Sequence, residues 1–308
     1  MPDVTRSGVA RTEGPGAPTV LRILLGTQLR RLRESRGISA AVAARAIRGS
    51  ESKISRIELG RNAVREVDVA DLLNLYGITD RSEREQLLTL AAQANQQGWW
   101  HHYQDVLPAW FHSYLGLEQS AELIRSFDTQ FVPGLLQTEE YSQAVIELGS
   151  YSRAETDRRV YLRKERQRRF WSGGLGLWAI IDEVALRRPV GSSAVVRGQF
   201  EHLLDVAGRW PGLRIQVTPF RTGASYAAPG SFSILSFTAQ DLPDVAYVEQ
   251  LTSAMYLDKR VDVDRYAEAF DRIAASSTTP DQTPQFIRSL LADLADLEGT
   301  PCTTPAVG

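Results

Sequence analysis

Leucines recur along the first ordered stretch of the chain at intervals of three and four, Leu21, Leu25, Leu29 and Leu32, and the pattern stops at Gly37. That spacing predicts a helix with one apolar face, ended by a residue suited to a left-handed turn. Ser39 can cap a second helix that turns Ala43, Ala44 and Ile47 inward, and Gly49-Ser50 then supplies a short turn and a new cap. A third helix runs from Glu51 to about Leu59 with Ile54 and Ile57 inward, closed by Gly60. A fourth carries Val67, Leu72, Leu73 and Leu75 before Gly77, and a fifth carries Leu87, Leu88, Leu90 and Ala91. Five short helices in succession make one compact all-α domain, residues 20–97.

The pattern changes at Gly98. GWWHHYQDVLPAWFHSYLG gathers Trp99, Trp100, Tyr103, Trp110, Phe111 and Tyr114 into one short segment. Beyond it, helical spacing over 118–127, 138–148, 153–170, 193–207, 263–275 and 284–297 mixes with strand signals. Leu213–Thr218 alternates strictly, and LGLWAIID (175–182), SFSILSF (231–237) and DVAYVEQL (244–251) add three more strands, the last two joined by a connection short enough for a hairpin. The expected fold is multidomain: the all-α five-helix helix-turn-helix domain followed, over 98–298, by an α+β domain with a mixed, largely antiparallel sheet. Residues 1–19 and 299–308, rich in Gly, Pro and Thr, read as tails.

Composition narrows the class. The chain has 308 residues, 43% hydrophobic and 23% charged, as expected of a folded globular protein with room for two cores. No run of apolar residues is long enough for a membrane span, and the N-terminal segment lacks the apolar block of a signal peptide, so a cytoplasmic protein is expected. One cysteine, Cys302, can build neither a disulfide framework nor a thiolate metal site within the chain. Net charge is −2, but from Arg22 to Arg65 eleven Arg and Lys face three acids, Glu34, Glu51 and Glu58. A local basic excess inside a helical domain is the electrostatic footprint of a nucleic-acid partner.

Two short helices joined by a tight turn let the second enter the major groove of double-stranded DNA. Once Ile54 and Ile57 are turned inward, Glu51, Ser52, Lys53, Ser55 and Arg56 remain as candidate base-reading side chains. Arg56 has the fork that matches guanine, and serines can serve several bases or phosphates. Ser39, Arg61, Asn62 and Arg65 are the candidate phosphate contacts, which would fix register without reading sequence.

LRRLRESRGIS (29–39) and SESKISRIELG (50–60) resemble the Xre-type helix-turn-helix family. The resemblance implies a salt bridge between Arg33 and Glu58 that fixes the angle of the recognition helix. The family usually has Gln at position 40 and Gly at position 48, where this chain has Ala40 and Arg48, its glycine displaced to Gly49. DLLNLYG, GWW, YLGLEQSA, FVPGLLQTEEY, YLRKERQ, WAIIDEVALRRPVG, VTPF and YVEQL follow in the order seen in actinobacterial WhiJ-like regulators. That resemblance implies transcriptional control in development or secondary metabolism, often with a small acidic partner protein encoded nearby. It carries no ligand motif.

Other groupings are weaker. His101, His102 and His112 lack a completing ligand, and no cofactor or metal site is expected. Asp182, Glu183 and Glu249 could be imagined as acid and base but read as strand-end and surface carboxylates, so the chain is not expected to be an enzyme. The run Arg153–Arg169, eight basic residues against three acids, fits a second anionic-ligand face or an amphipathic helix. The aromatic segment reads as packing between domains more than as a ligand pocket. The function expected is a sequence-specific DNA-binding transcription regulator acting as a homodimer, its second domain sensing a small-molecule effector or a partner protein. The alternative is an antitoxin-like or scaffold protein with autoregulatory DNA binding.

Overall fold

The computed structural model describes residues 18–60, 62–222, 230–238 and 242–299. The chain divides into two compact units whose boundary falls between Gly98 and Trp99.

The first unit is all helix: α1 (Pro18–Ser35), α2 (Ala40–Ala46), α3 (Glu51–Glu58), α4 (Glu66–Leu75) and α5 (Arg81–Ala94). Pro18 suits a first helical position because it lacks only an N–H that would have no partner there. It and the buried Thr19 therefore belong to α1 and not to a tail. Leu25, Leu29, Ile47, Ile54, Leu72 and Leu73 form the core where the five helices meet. Val67, expected inward, is exposed, and Val69 takes the buried position on α4. Ser39, Ser50 and Asp80 cap α2, α3 and α5 through side-chain oxygens that accept from Val42 N, Lys53 N and Glu83 N.

The second unit contains α6 (Phe111–Ser120), β1 (Leu123–Asp128), α7 (Glu139–Glu147), α8 (Arg153–Ser172), β2 (Gly176–Asp182), α9 (Glu183–Arg187), α10 (Ser193–Arg209), β3 (Leu213–Thr218), β4 (Phe232–Ser236), β5 (Val245–Glu249), β6 (Ala254–Leu257), α11 (Arg260–Ser276) and α12 (Thr283–Gly299). One six-stranded sheet has the order β3-β2-β1-β4-β5-β6. β1 pairs parallel with β2, and β2 with β3; the three remaining pairs are antiparallel, including the hairpin-linked β4 and β5. The unit is thus an α+β domain with a mixed, largely antiparallel sheet. No helix among the described residues is long and apolar enough to cross a membrane.

Three strands differ from the sequence reading, β6 among them because no strand is expected over 254–257. The helix expected over 118–127 is broken: α6 stops at Ser120 and Leu123–Asp128 is the central strand β1. With β2 on one side and β4 on the other, and with Ile124 and Phe127 buried on opposite faces, β1 shows no clean alternation that would distinguish it from a continued helix. In β3 the residue types alternate but burial does not. Gln216 is buried, accepting from the Trp178 indole and donating to the Thr278 carbonyl at 2.6 Å each.

Three helices of the first unit end in the same way. After α1, α2 and α4, an amide reaches back five residues, Ile38 N to Arg33 O, Gly49 N to Ala44 O and Ile78 N to Leu73 O. The residue before each of these amides must be left-handed. At the first and third it is glycine, Gly37 and Gly77, but after α2 it is Arg48 at φ 51°. A Cβ in this region is strained. Arg48→Gly is expected to stabilise residues 18–98 by about 1 kcal/mol, reduced in part by the greater freedom of glycine in the unfolded chain. Urea unfolding followed by circular dichroism checks it, and an unchanged or lower midpoint would mean that the strain is relieved in some other way.

Candidate nucleic-acid interface

α2, a turn over Ile47–Ser50, and α3 form the helix-turn-helix. α3 is only eight residues long, too short to be stable alone, so its direction is set by what it packs against. Ile54 and Ile57 anchor its inner side. Its C-terminal end lies against α1 so closely that a Cβ on Gly26 would stand 2.4 Å from the Ile57 carbonyl oxygen. Gly60, left-handed at φ 64°, meets α1 from the other side, and a Cβ there would stand 2.7 Å from Ile23 Cα. These two glycines let the backbones touch.

Arg33 locks the crossing. Its Nε and Nη2 donate to Glu58 Oε1 and Oε2 at 2.6 and 2.9 Å, and its Nη1 donates to the Ile38 carbonyl at 2.9 Å. The side chains are only 12% and 9% exposed, so the pair is shielded from water. The hydrogen bond to Glu58 holds the guanidinium above the ordinary arginine range. The phenol of Tyr76 is pushed up to about 12 by burial, with the Glu58 carboxylate adding to the shift. One arginine thus ties the end of α1, the turn before α2 and the end of α3 together.

The residues singled out from the sequence separate into groups. Glu51, Ser52, Ser55 and Arg56 are exposed and, with Ala40, line a hollow on the outer side of α3. Arg56 Nε folds back onto the Ser52 carbonyl at 3.2 Å. Lys53 does not join them: it is half-buried and its Nζ lies 2.8 Å from Asp68 Oδ2. Arg65 also turns to Asp68, at 2.7 and 3.1 Å, while its side chain stays 70% exposed. Ser39 and Asn62 are exposed, the first capping α2, and Arg61 lies outside the described residues.

Asp68 was not foreseen. It is buried on the inner side of α4, where it holds α3 to α4 through Lys53. Burial raises its carboxyl, but hydrogen bonds from Arg65 and Lys53 outweigh that and hold it below the usual range. The signal in the sequence was an acid four residues before Leu72, on the apolar stripe. Arg45 and Arg48 at the end of α2 are further exposed cations beside the motif.

In the second unit, the basic run on α8 is largely paired within the fold. Arg166 makes a buried two-pronged bond to Glu118 at 2.9 and 2.7 Å, Arg158 meets Asp105, Lys164 meets Glu139, and Arg168 meets Glu165. The aromatic segment packs on the same unit. Arg169 lies over Trp99, Tyr103 stacks on Tyr161, and Tyr114 meets Tyr247. Asp182 caps α9, Glu183 bonds Arg187 and Phe220 N, and Glu249 accepts from the Trp110 indole. His101 and His102 lie in a short 3-10 turn and His112 on α6. Among the described residues no cluster of His, Cys, Asp or Glu is arranged to hold a metal ion.

The first unit is a helix-turn-helix domain, and residues 24–87 match the family model described by that name. Residues 111–289, well over half of the chain, match the model described as a domain of unknown function, DUF5753, and the chain belongs to that family. Neither a curated protein nor a solved structure gives a significant match.

If Arg33 and Glu58 set the angle of α3 together, then Arg33→Ala and Glu58→Ala should each destabilise the first unit, and the double variant should lose less than the sum by about 1 to 3 kcal/mol. A double-mutant cycle by urea unfolding of residues 18–98 measures the coupling, and strict additivity would mean that the pair does not act as a unit.

Proposed function

We propose that the protein is a sequence-specific DNA-binding transcription regulator of the Xre type, similar to the WhiJ-like regulators, which binds its operator as a homodimer. The observation that carries this reading is the exposed polar side of α3, with Glu51, Ser52, Ser55 and Arg56 clear of the core and the helix braced from behind by Arg33, Gly26 and Gly60. In this reading those four side chains meet base edges and Ser39, Asn62 and the exposed edge of Arg65 meet phosphates. Lys53 serves the domain through Asp68. A dimer supplies two half-sites, because one eight-residue helix reads too few base pairs to single out an operator.

The DUF5753 domain then modulates DNA binding, through a small molecule or a partner protein. Its paired basic helix supports this over a second DNA-binding role, because cations already bound to Glu118, Glu139 and Asp105 release little counterion from a phosphate backbone. The domain carries no catalysis in this reading.

Residues 18–98 should shift duplex DNA at low salt while residues 99–308 do not. On a duplex selected from a random pool, Arg56→Ala should cost about 1 to 3 kcal/mol, and much less on a scrambled duplex. Fluorescence anisotropy measures both, and equal weakening on the two duplexes would mean that Arg56 reads no base.

A further inference from the structure

FVPGLLQTEEY, the most distinctive string of the second unit, forms one wall of a small, partly open cavity of about 70 Å³. Gly134 from this segment, Tyr114 from α6 and Arg166 from α8 face Ser126, Asp128 and Ser233 of the sheet. Ser126 and Ser233 are direct cross-strand partners on β1 and β4, and Asp128 follows two residues after Ser126. The strand period therefore brings all three polar side chains to one face. Their neighbours in register on β2, Ala179 beside Ser126 and Ile181 beside Asp128, are apolar and fully buried.

A polar patch in such a setting needs partners. Ser126 is 5% exposed, and neither its Oγ nor Asp128 Oδ2 receives a hydrogen bond of normal geometry from the protein. The strongest donor nearby is already engaged, since the Arg166 fork is closed on Glu118 and that pair is neutral. What remains is a half-buried carboxylate whose Oδ2 lacks a partner, beside two hydroxyls at the carboxyl end of a strand that runs parallel to its neighbour. Ligands of sheets with parallel strands gather at such ends.

We propose that this cavity binds the ammonium head of a small primary amine, with the Asp128 carboxylate as counter-charge and the Ser126 and Ser233 hydroxyls as further acceptors. An ammonium group offers three donors to these three acceptors, and the volume admits a head of a few heavy atoms. Water could satisfy the hydroxyls but would leave the charge of the half-buried carboxylate without a counter-ion. In keeping with this, burial pushes the Asp128 carboxyl up to about 7, with a contact from Ser126 opposing the shift only in part. As an effector site the cavity rests on the reading that the second unit governs DNA binding; as an amine site it does not.

The test uses the full chain and methylammonium chloride. Titration calorimetry and thermal unfolding, with sodium chloride at equal ionic strength and tetramethylammonium chloride as controls, should show binding and stabilisation by methylammonium alone, because tetramethylammonium has no N–H to donate. Asp128→Asn, which keeps the shape and removes the charge, should weaken binding by at least about tenfold, the loss expected for a hydrogen bond to a charged group. Ser126→Ala, which leaves the fold's charges untouched, should weaken it about threefold or more. No binding of methylammonium, equal binding of tetramethylammonium, or full affinity in a folded Asp128→Asn or Ser126→Ala chain each overturns the site and leaves a water-filled cavity. Operator affinity measured with and without methylammonium then separates the two readings. Binding that leaves it unchanged upholds the amine site and overturns its role as an effector site.

Discussion

The partly buried pair of Arg33 and Glu58 is the contact on which the presentation of α3 depends. A helix of eight residues has little stability of its own, and two isoleucines fix its depth in the core but not its rotation or tilt. The bidentate fork adds that direction, since planar guanidinium and carboxylate meet well in only one relative orientation. The two glycines make it reachable, because a side chain at Gly26 or Gly60 would push α1 away from the end of α3. Replacing such a pair with apolar residues can leave a protein as stable as before, so its value here lies in aim more than in stability.

Asp68 plays a second bracing role one helix further on. It draws Lys53 off the outer side of α3 and Arg65 onto the start of α4. The face left to solvent is therefore smaller and less basic than the charge count of the segment suggests: one arginine, two serines and one glutamate. The same accounting holds on α8, where acids from distant segments, Asp105, Glu118 and Glu139, absorb a run of cations that looks unmatched in the sequence.

Most of the first unit was legible because its helices are amphipathic and four of the five end at left-handed positions. Gly37, Gly60 and Gly77 marked three of those ends, and Arg48 holds the fourth. The candidate interface was legible as far as the helical period goes: with Ile54 and Ile57 inward, Ser52, Ser55 and Arg56 must point out. The pairing of Lys53 with Asp68 was not legible, because the partner lies fifteen residues away, on a helix whose rotation no local pattern reveals. In the second unit β2, β3, β4 and β5 carried clear strand signals. β1 did not, because a strand buried on both faces loses its alternation, and β6 did not, because four residues at a sheet edge are too few to show a period. The polar patch of Ser126, Ser233 and Asp128 was invisible for a related reason, since only strand pairing brings residues so far apart in the chain together.

The central claim is that DNA meets the outer side of α3. Amide chemical-shift mapping of isotopically labelled residues 18–98, titrated with a duplex selected from a random pool, tests it most directly. The account predicts that the largest changes fall on Glu51–Arg56 and on the start of α2 near Ser39, with α5 nearly silent. Changes concentrated on the groove between α1 and α5, around Gln28, Gln86 and Gln93, with α3 unmoved, would contradict it.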